Sequence, residues 1–162
     1  MIRVGIITAS DKGSKGERED ESGQVIKEIV AEINGEVVSY QIVPDEKEEL
    51  KEVMLKMINK ENVELLLTTG GTGLGPRDVT PDATLELIEK EVPGLAEAMR
   101  MESLKVTNRA MLSRAVSGIL QESLIVNLPG SPKAVSECLE VILPAIPHAI
   151  ELIRGEVGDC AR

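Results

Sequence analysis

The sequence contains no Phe and no Trp, and Tyr40 is its one tyrosine. Proteins that hold single-stranded nucleic acid by stacking need several such rings, so that class is excluded, and a planar ligand would lie against aliphatic side chains and backbone. Histidine is nearly absent too: His148 stands alone in an apolar C-terminal stretch and reads as structural. That argues against Ser-His or Cys-His nucleophilic catalysis and against a histidine-rich zinc site. The two cysteines, Cys138 and Cys160, lack metal-ligand spacing and read as reduced thiols, Cys138 within an apolar helical pattern. No apolar run approaches the roughly 20 residues that a membrane-spanning helix requires. The N-terminal Met1-Ile2-Arg3-Val4-Gly5 enters a strand without the charged region, apolar run and cleavage site of a signal peptide. A cytoplasmic protein without a membrane partner is expected.

Basic residues are also in deficit, 18 Lys and Arg against 28 Asp and Glu, for a net charge of −10. A surface that coats a polyanion needs a concentrated basic face, so nucleic acid is not an expected partner. Small anions remain accessible wherever a few cations gather.

What is present fits one domain over residues 1–162, since a chain of 162 residues with 42% hydrophobic content can bury a substantial core. Arg3 to Ala9 reads as a buried strand, and a polar loop with Asp11, Lys12, Lys15 and Arg18 follows. Val25, Ile26, Ile29, Val30 and Ile33 give helical spacing over Glu21 to Asn34, with Gly35 as the stop. Glu36 to Val43 is a second strand. Asp45 stands where an N-cap would, with Glu48 three residues on, before a helix through Lys60. Val63 to Thr69 is a third strand, its continuous apolar run suited to burial on both faces. Thr80 can cap a helix with Pro81 at its first position, and another helix covers Gly94 to Lys105. Ala115 to Leu120 and Ser123 to Leu128 read as strands joined by a turn at Gln121-Glu122. A helical region then follows Pro129-Gly130-Ser131-Pro132 and is kinked or divided at Pro144 and Pro147. The alternation predicts an α/β fold, a three-layer α/β/α sandwich around a mostly parallel sheet.

The chemistry concentrates in Thr68-Thr69-Gly70-Gly71-Thr72-Gly73-Leu74-Gly75-Pro76-Arg77-Asp78-Val79-Thr80-Pro81, a glycine-dense loop between a strand and a helix. Glycines let backbone amides approach an anion. The loop is neither a P-loop, which needs a lysine and Ser or Thr after its last glycine, nor the dinucleotide fingerprint, because Gly75 meets Pro76. A plain tight turn would not need Arg77 and Asp78. Asp45 and Asp78 each follow the carboxyl end of a predicted strand, so a parallel sheet brings both to one edge, where two carboxylates could hold Mg²⁺ against a polyphosphate. The alternatives are a helix cap for Asp45 and a salt bridge to Arg77 for Asp78. Ser10-Asp11 and Asn127 through Lys133 reach the same edge, the latter with helix-start amides suited to a phosphate. Arg100, Lys105, Arg109 and Arg114 form a basic series in which one or two could neutralise a bound anion.

On Ser10-Asp11, Val43-Pro44-Asp45-Glu46, Thr68 through Thr84, Ala110-Met111-Leu112-Ser113-Arg114 and Asn127 through Lys133, the chain resembles the MogA/MoaB-type molybdenum-cofactor biosynthesis family over essentially its whole length. The resemblance implies a Mg²⁺-dependent transfer of AMP from ATP to the terminal phosphate of molybdopterin, with release of pyrophosphate. It assigns Asp45 and Asp78 as the catalytic and metal-holding aspartates. Thr69, Gly70, Gly71, Thr72, Gly73 and Arg77 would bind nucleotide or molybdopterin, with Ser10, Asp11, Ser113, Pro129, Gly130 and Ser131 completing the pocket. It also implies a homotrimer and a molybdenum-insertion protein as a partner. The alternative within the family is a non-catalytic molybdopterin-binding or assembly protein of the MoaB type.

Overall fold

The five strands read from the sequence and a sixth, short one that it did not show join into one sheet of order β2-β1-β3-β6-β5-β4 in the computed structural model, which describes residues 1–158. They are β1 (Ile2–Ala9), β2 (Gly35–Val43), β3 (Leu65–Thr69), β4 (Lys90–Glu91), β5 (Ser117–Leu120) and β6 (Ser123–Leu128). The first three and β6 pair in parallel; β5 runs antiparallel to β6, and β4 antiparallel to β5. The helices are α1 (Asp11–Ser14), α2 (Glu21–Ile29), α3 (Lys47–Glu61), α4 (Thr80–Leu87), α5 (Pro93–Leu104), α6 (Pro132–Ile142) and α7 (Ile146–Ile153).

Alternate residues along a strand face opposite sides, and here both sides are apolar. Val4, Ile6, Leu65, Leu67, Leu124 and Val126 pack against α2, α5, α6 and α7 through Ile26, Met99, Leu139 and Ile150. Ile7, Leu66 and Ile125 face the other way, onto Leu50, Met54 and Met57 of α3 and Ala83 of α4. The continuous apolar run of β3 is therefore the mark of a central strand covered on both faces. The result is the three-layer α/β/α sandwich expected.

Several local readings change. The helix over Glu21 to Asn34 tightens into a 3-10 turn at Val30–Ile33; Asn34, with φ 58°, ends it, and Gly35 opens β2 rather than stopping the helix. An Asn in the left-handed region performs the reversal expected of the glycine. Asp45 does not cap α3, whose N-cap is Glu46, without a side-chain hydrogen bond. Thr80 is the first residue of α4 and makes no capping bond. Pro144 divides the C-terminal region at a 3-10 turn, Leu143–Ala145. Pro147 instead lies in the first turn of α7, where its missing N–H costs no intrahelical bond. Cys138 is free and buried, with burial pushing its thiol pKa up; Cys160 lies outside the described residues. No helix among the described residues is long and apolar enough to cross a membrane.

Candidate functional site

Strands β2 and β3 flank β1, so the chain leaves the sheet in different directions across the carboxyl ends of β1 and β3. Such a switch point opens a crevice in parallel α/β sheets. A cleft of about 590 Å³ occupies it, lined by Ser10, Asp11, Lys12, Arg18, Asp20, Asp45, Thr69, Gly70, Gly71, Asp78, Gly130 and Ser131, among others. Of the residues expected at the site, nine therefore share one wall-to-wall space: Ser10, Asp11, Asp45, Thr69, Gly70, Gly71, Asp78, Gly130 and Ser131.

The remaining five do not line it. Thr72 and Gly73 present their carbonyls to Arg114, whose backbone N–H donates to Thr72 O at 2.8 Å and whose Nε donates to Gly73 O at 2.9 Å. Arg77 lies at the rim, half-exposed. It pairs with Asp11 at 3.0 Å and with Glu46 at 2.9 Å, not with Asp78 as the salt-bridge alternative had it. Ser113 and Pro129 border a separate, mainly apolar hollow between α5 and α6. Pro129 still shapes the cleft indirectly, since its carbonyl accepts from Thr69 Oγ1 at 2.6 Å.

The glycine loop takes its form from two positive-φ residues. Gly70 has φ 91°, and a Cβ there would stand 2.5 Å from Ala9 O; Gly71 has φ 67°, and a Cβ there would press on Thr80 Oγ1 and come within 3.2 Å of Asp45 Oδ1. The backbone thus passes where no side chain fits. The amides of Gly71, Gly130 and Ser131 have no acceptor among the described residues. These amides are available to an anion.

Asp45 and Asp11 are locked together by reciprocal bonds, each amide donating to the other's carboxylate at 3.0 Å. This is what diverts Asp45 from capping α3. Burial raises the Asp45 pKa, and the charges of Asp11 and Asp78 add to the rise against the lowering effects of the Asp11 amide and Arg77. Asp11 is held below the usual carboxylate range, first by its hydrogen bonds from Arg77 and then by the Asp45 amide. Asp78 accepts from the Gly75 amide at 2.9 Å through Oδ2. Asp45 Oδ1 and Asp78 Oδ1 accept no hydrogen bond among the described residues. Two hard oxygens left open in this way suit a magnesium ion that takes its other ligands from water and phosphate. No group of three or more His, Cys, Asp or Glu able to hold a metal occurs among the described residues.

Asp20 is a cleft residue that the sequence reading missed. It caps α2 by accepting from Gly23 N through Oδ1, while Oδ2 accepts from Thr8 Oγ1 at 2.6 Å and from the Tyr40 hydroxyl. Burial, then that hydrogen bond and the Asp20 charge, push the Tyr40 pKa up. Ser22 ties the same helix start to the loop after β6, its Oγ donating to Gly130 O at 2.7 Å. The only available signal was an Asp immediately before a helical pattern, with glycine three residues on. Arg114, read as one of a basic series, is partly exposed yet fully engaged: it donates to Gly73 O and Asp78 O and makes a fork to Asp82.

Comparison with known proteins places this geometry among relatives. The family described as a probable molybdopterin binding domain matches residues 5–148. A molybdopterin adenylyltransferase of Helicobacter pylori strain J99 is 46% identical over 156 residues, 95% of this chain and 89% of that protein. The molybdopterin adenylyltransferase of Escherichia coli strain K12 is 35% identical, covering 99% of this chain and 89% of its own. The crystal structure of the molybdopterin biosynthesis enzyme MoaB from Thermus thermophilus superposes with a TM-score of 0.90 at 52% identity, over 96% of this chain and 98% of that one.

Proposed function

The chain belongs to the molybdopterin-binding domain family, and from that premise we propose that it is a molybdopterin adenylyltransferase. It transfers AMP from ATP to the terminal phosphate of molybdopterin, within a domain spanning residues 1–162. One observation carries this reading: Asp45 and Asp78, from the ends of separate strands, line a single cleft with the glycine loop and the start of α6.

An oxygen of the molybdopterin phosphate forms a bond to the α-phosphorus of ATP; the bond from that phosphorus to the bridging oxygen breaks, and pyrophosphate leaves with the electron pair. A phosphate monoester has a second pKa of about 6, so near neutrality the nucleophile is already charged and needs no base. The protein's work is alignment and charge neutralisation. The amides of Gly71, Gly130 and Ser131 contact phosphate oxygens, Thr69 and Ser10 shape the pocket, and Thr72 and Gly73 hold the loop that presents them. Lys12 and Arg18 supply positive charge at the cleft wall, while Arg77 keeps Asp11, and through it Asp45, in place. Asp45 and Asp78 would hold Mg²⁺, which when bound offsets the charge of the polyphosphate. Ser113 and Pro129 act from the neighbouring hollow.

The protein works in the cytoplasm as a homotrimer and passes its product to a molybdenum-insertion protein. The second reading is a non-catalytic carrier, a molybdopterin-binding or assembly protein of the MoaB type. Incubating the purified protein with molybdopterin, ATP and Mg²⁺ separates the two: adenylylated molybdopterin with stoichiometric pyrophosphate supports the enzyme, and binding without turnover supports the carrier.

A further inference from the structure

Among the described residues, one buried side-chain oxygen has no hydrogen-bond partner, Thr80 Oγ1. An unmade hydrogen bond in the interior carries a desolvation cost, and most buried polar groups avoid it. The Thr80 side chain is fully enclosed, and its backbone is already engaged, its amide donating to Gly71 O at 3.2 Å. Its hydroxyl does not serve the start of α4 either. The methyl of a valine would fill the same space without the cost.

The location of this orphan is specific. Thr80 Oγ1 and Asp45 Oδ1 both lie within 3.2 Å of the point that a Cβ on Gly71 would occupy. They approach the Gly71 backbone from different elements, Thr80 from the first turn of α4 and Asp45 from the end of β2. Asp45 Oδ2 is held by the Asp11 amide, whereas Oδ1 lacks a donor among the described residues. An unused donor and an unused charged acceptor thus both lie against the same glycine, itself in the left-handed region. The hydroxyl is closed off from the cleft by this loop, so a bound molecule does not reach it directly.

We propose that Thr80 is a positioning residue for Asp45: when magnesium and ATP occupy the cleft, the Thr80 hydroxyl donates to Asp45 Oδ1 and fixes the carboxylate for the bound state. The empty protein carries the unmade bond, and occupation of the site makes it. Bonds to charged acceptors are stronger than neutral ones, and a carboxylate oxygen offers two lone-pair sites, so Oδ1 can accept from Thr80 and still face the cation. The inference rests on the adenylyltransferase reading, in that it takes MgATP as the occupant.

The test compares wild type, Thr80→Val and Thr80→Ser by melting temperature without ligand and by calorimetric titration with MgATP. Thr80→Val is expected to melt at or above the wild-type temperature when empty and to bind MgATP at least about tenfold more weakly, with Thr80→Ser restoring the affinity. Equal MgATP affinity in wild type and Thr80→Val overturns the inference and leaves the adenylyltransferase reading standing. A Thr80→Val protein that loses stability when empty overturns it too, because the hydroxyl would then be serving the unliganded fold. If wild type itself fails to bind MgATP, the reading beneath the inference fails, and the inference with it.

Discussion

Asp11 and Asp45, 34 residues apart, each donate a backbone amide to the other's carboxylate at 3.0 Å, so the ends of β1 and β2 are fastened together at the cleft. The pair is asymmetric. Asp11 also takes the Arg77 guanidinium, with bonds at 3.1 and 3.0 Å, whereas Asp45 is the more buried and faces the charge of Asp78 as well.

That asymmetry predicts the order of titration. Asp11, lowered, stays charged below the ordinary value of 3.8, and Asp45, raised, takes up its proton above it. Because the folded pKa of Asp11 is depressed, its contribution to stability is present above the unfolded pKa and lost as pH falls through the folded one. Asp45 has the opposite sign: its charged form costs stability at neutral pH, and protonation on acidification relieves that cost. Carboxyl carbon NMR across pH 2 to 7, with Asp45→Asn and Asp11→Asn for assignment, should place the Asp45 midpoint above that of Asp11. The reverse order would mean that Arg77 and burial do not act as described.

Arg114 is expected to behave as a staple of the glycine loop. Its fork reaches Gly73 O, Asp78 O and both oxygens of Asp82, a planar arrangement that lysine does not reproduce. Arg114→Ala should cost about 1–2 kcal/mol, since the side chain is partly exposed and charged hydrogen bonds are weakened there. Arg114→Lys should recover less than half of that loss. Urea unfolding measures both, and full recovery by lysine would reduce the role of Arg114 to its charge.

Gly70→Ala tests the loop's path. With φ 91° and Ala9 O only 2.5 Å from the added carbon, the substitution should destabilise the fold by about 2 kcal/mol, equivalent to a melting point roughly 4–8 °C lower in a domain of this size. A variant that melts with wild type would show that the loop relaxes freely.

The sequence made the sandwich legible because apolar runs, glycine stops and prolines act locally. The central strand β3 declared itself through Leu65-Leu66-Leu67, buried on both faces. β4 did not: two exposed, charged residues, Lys90 and Glu91, become a strand only by pairing with Ile119 and Gly118. The cleft was legible to the extent that strand ends imply one edge, which brought Asp45, Asp78 and the glycine loop together. Competition for a side chain from elsewhere in the fold was not. Asp45 carries the spacing of a helix cap, yet its oxygen is taken by the Asp11 amide. Asp20 does cap a helix, and its service to Thr8 and Tyr40 depends on β1 and β2 lying side by side. Arg114 reads as a surface cation until the chain folds Gly73 and Asp78 around it.

The most direct measurement is the initial rate of pyrophosphate release, coupled to detection of adenylylated molybdopterin, for wild type, Asp45→Asn and Asp78→Asn at saturating ATP and Mg²⁺. Turnover by wild type, with a loss of at least about tenfold in each variant, or ~1.4 kcal/mol of transition-state stabilisation, and melting temperatures no lower than wild type, is the predicted result. Variants that stay folded and turn over at the wild-type rate would contradict the account.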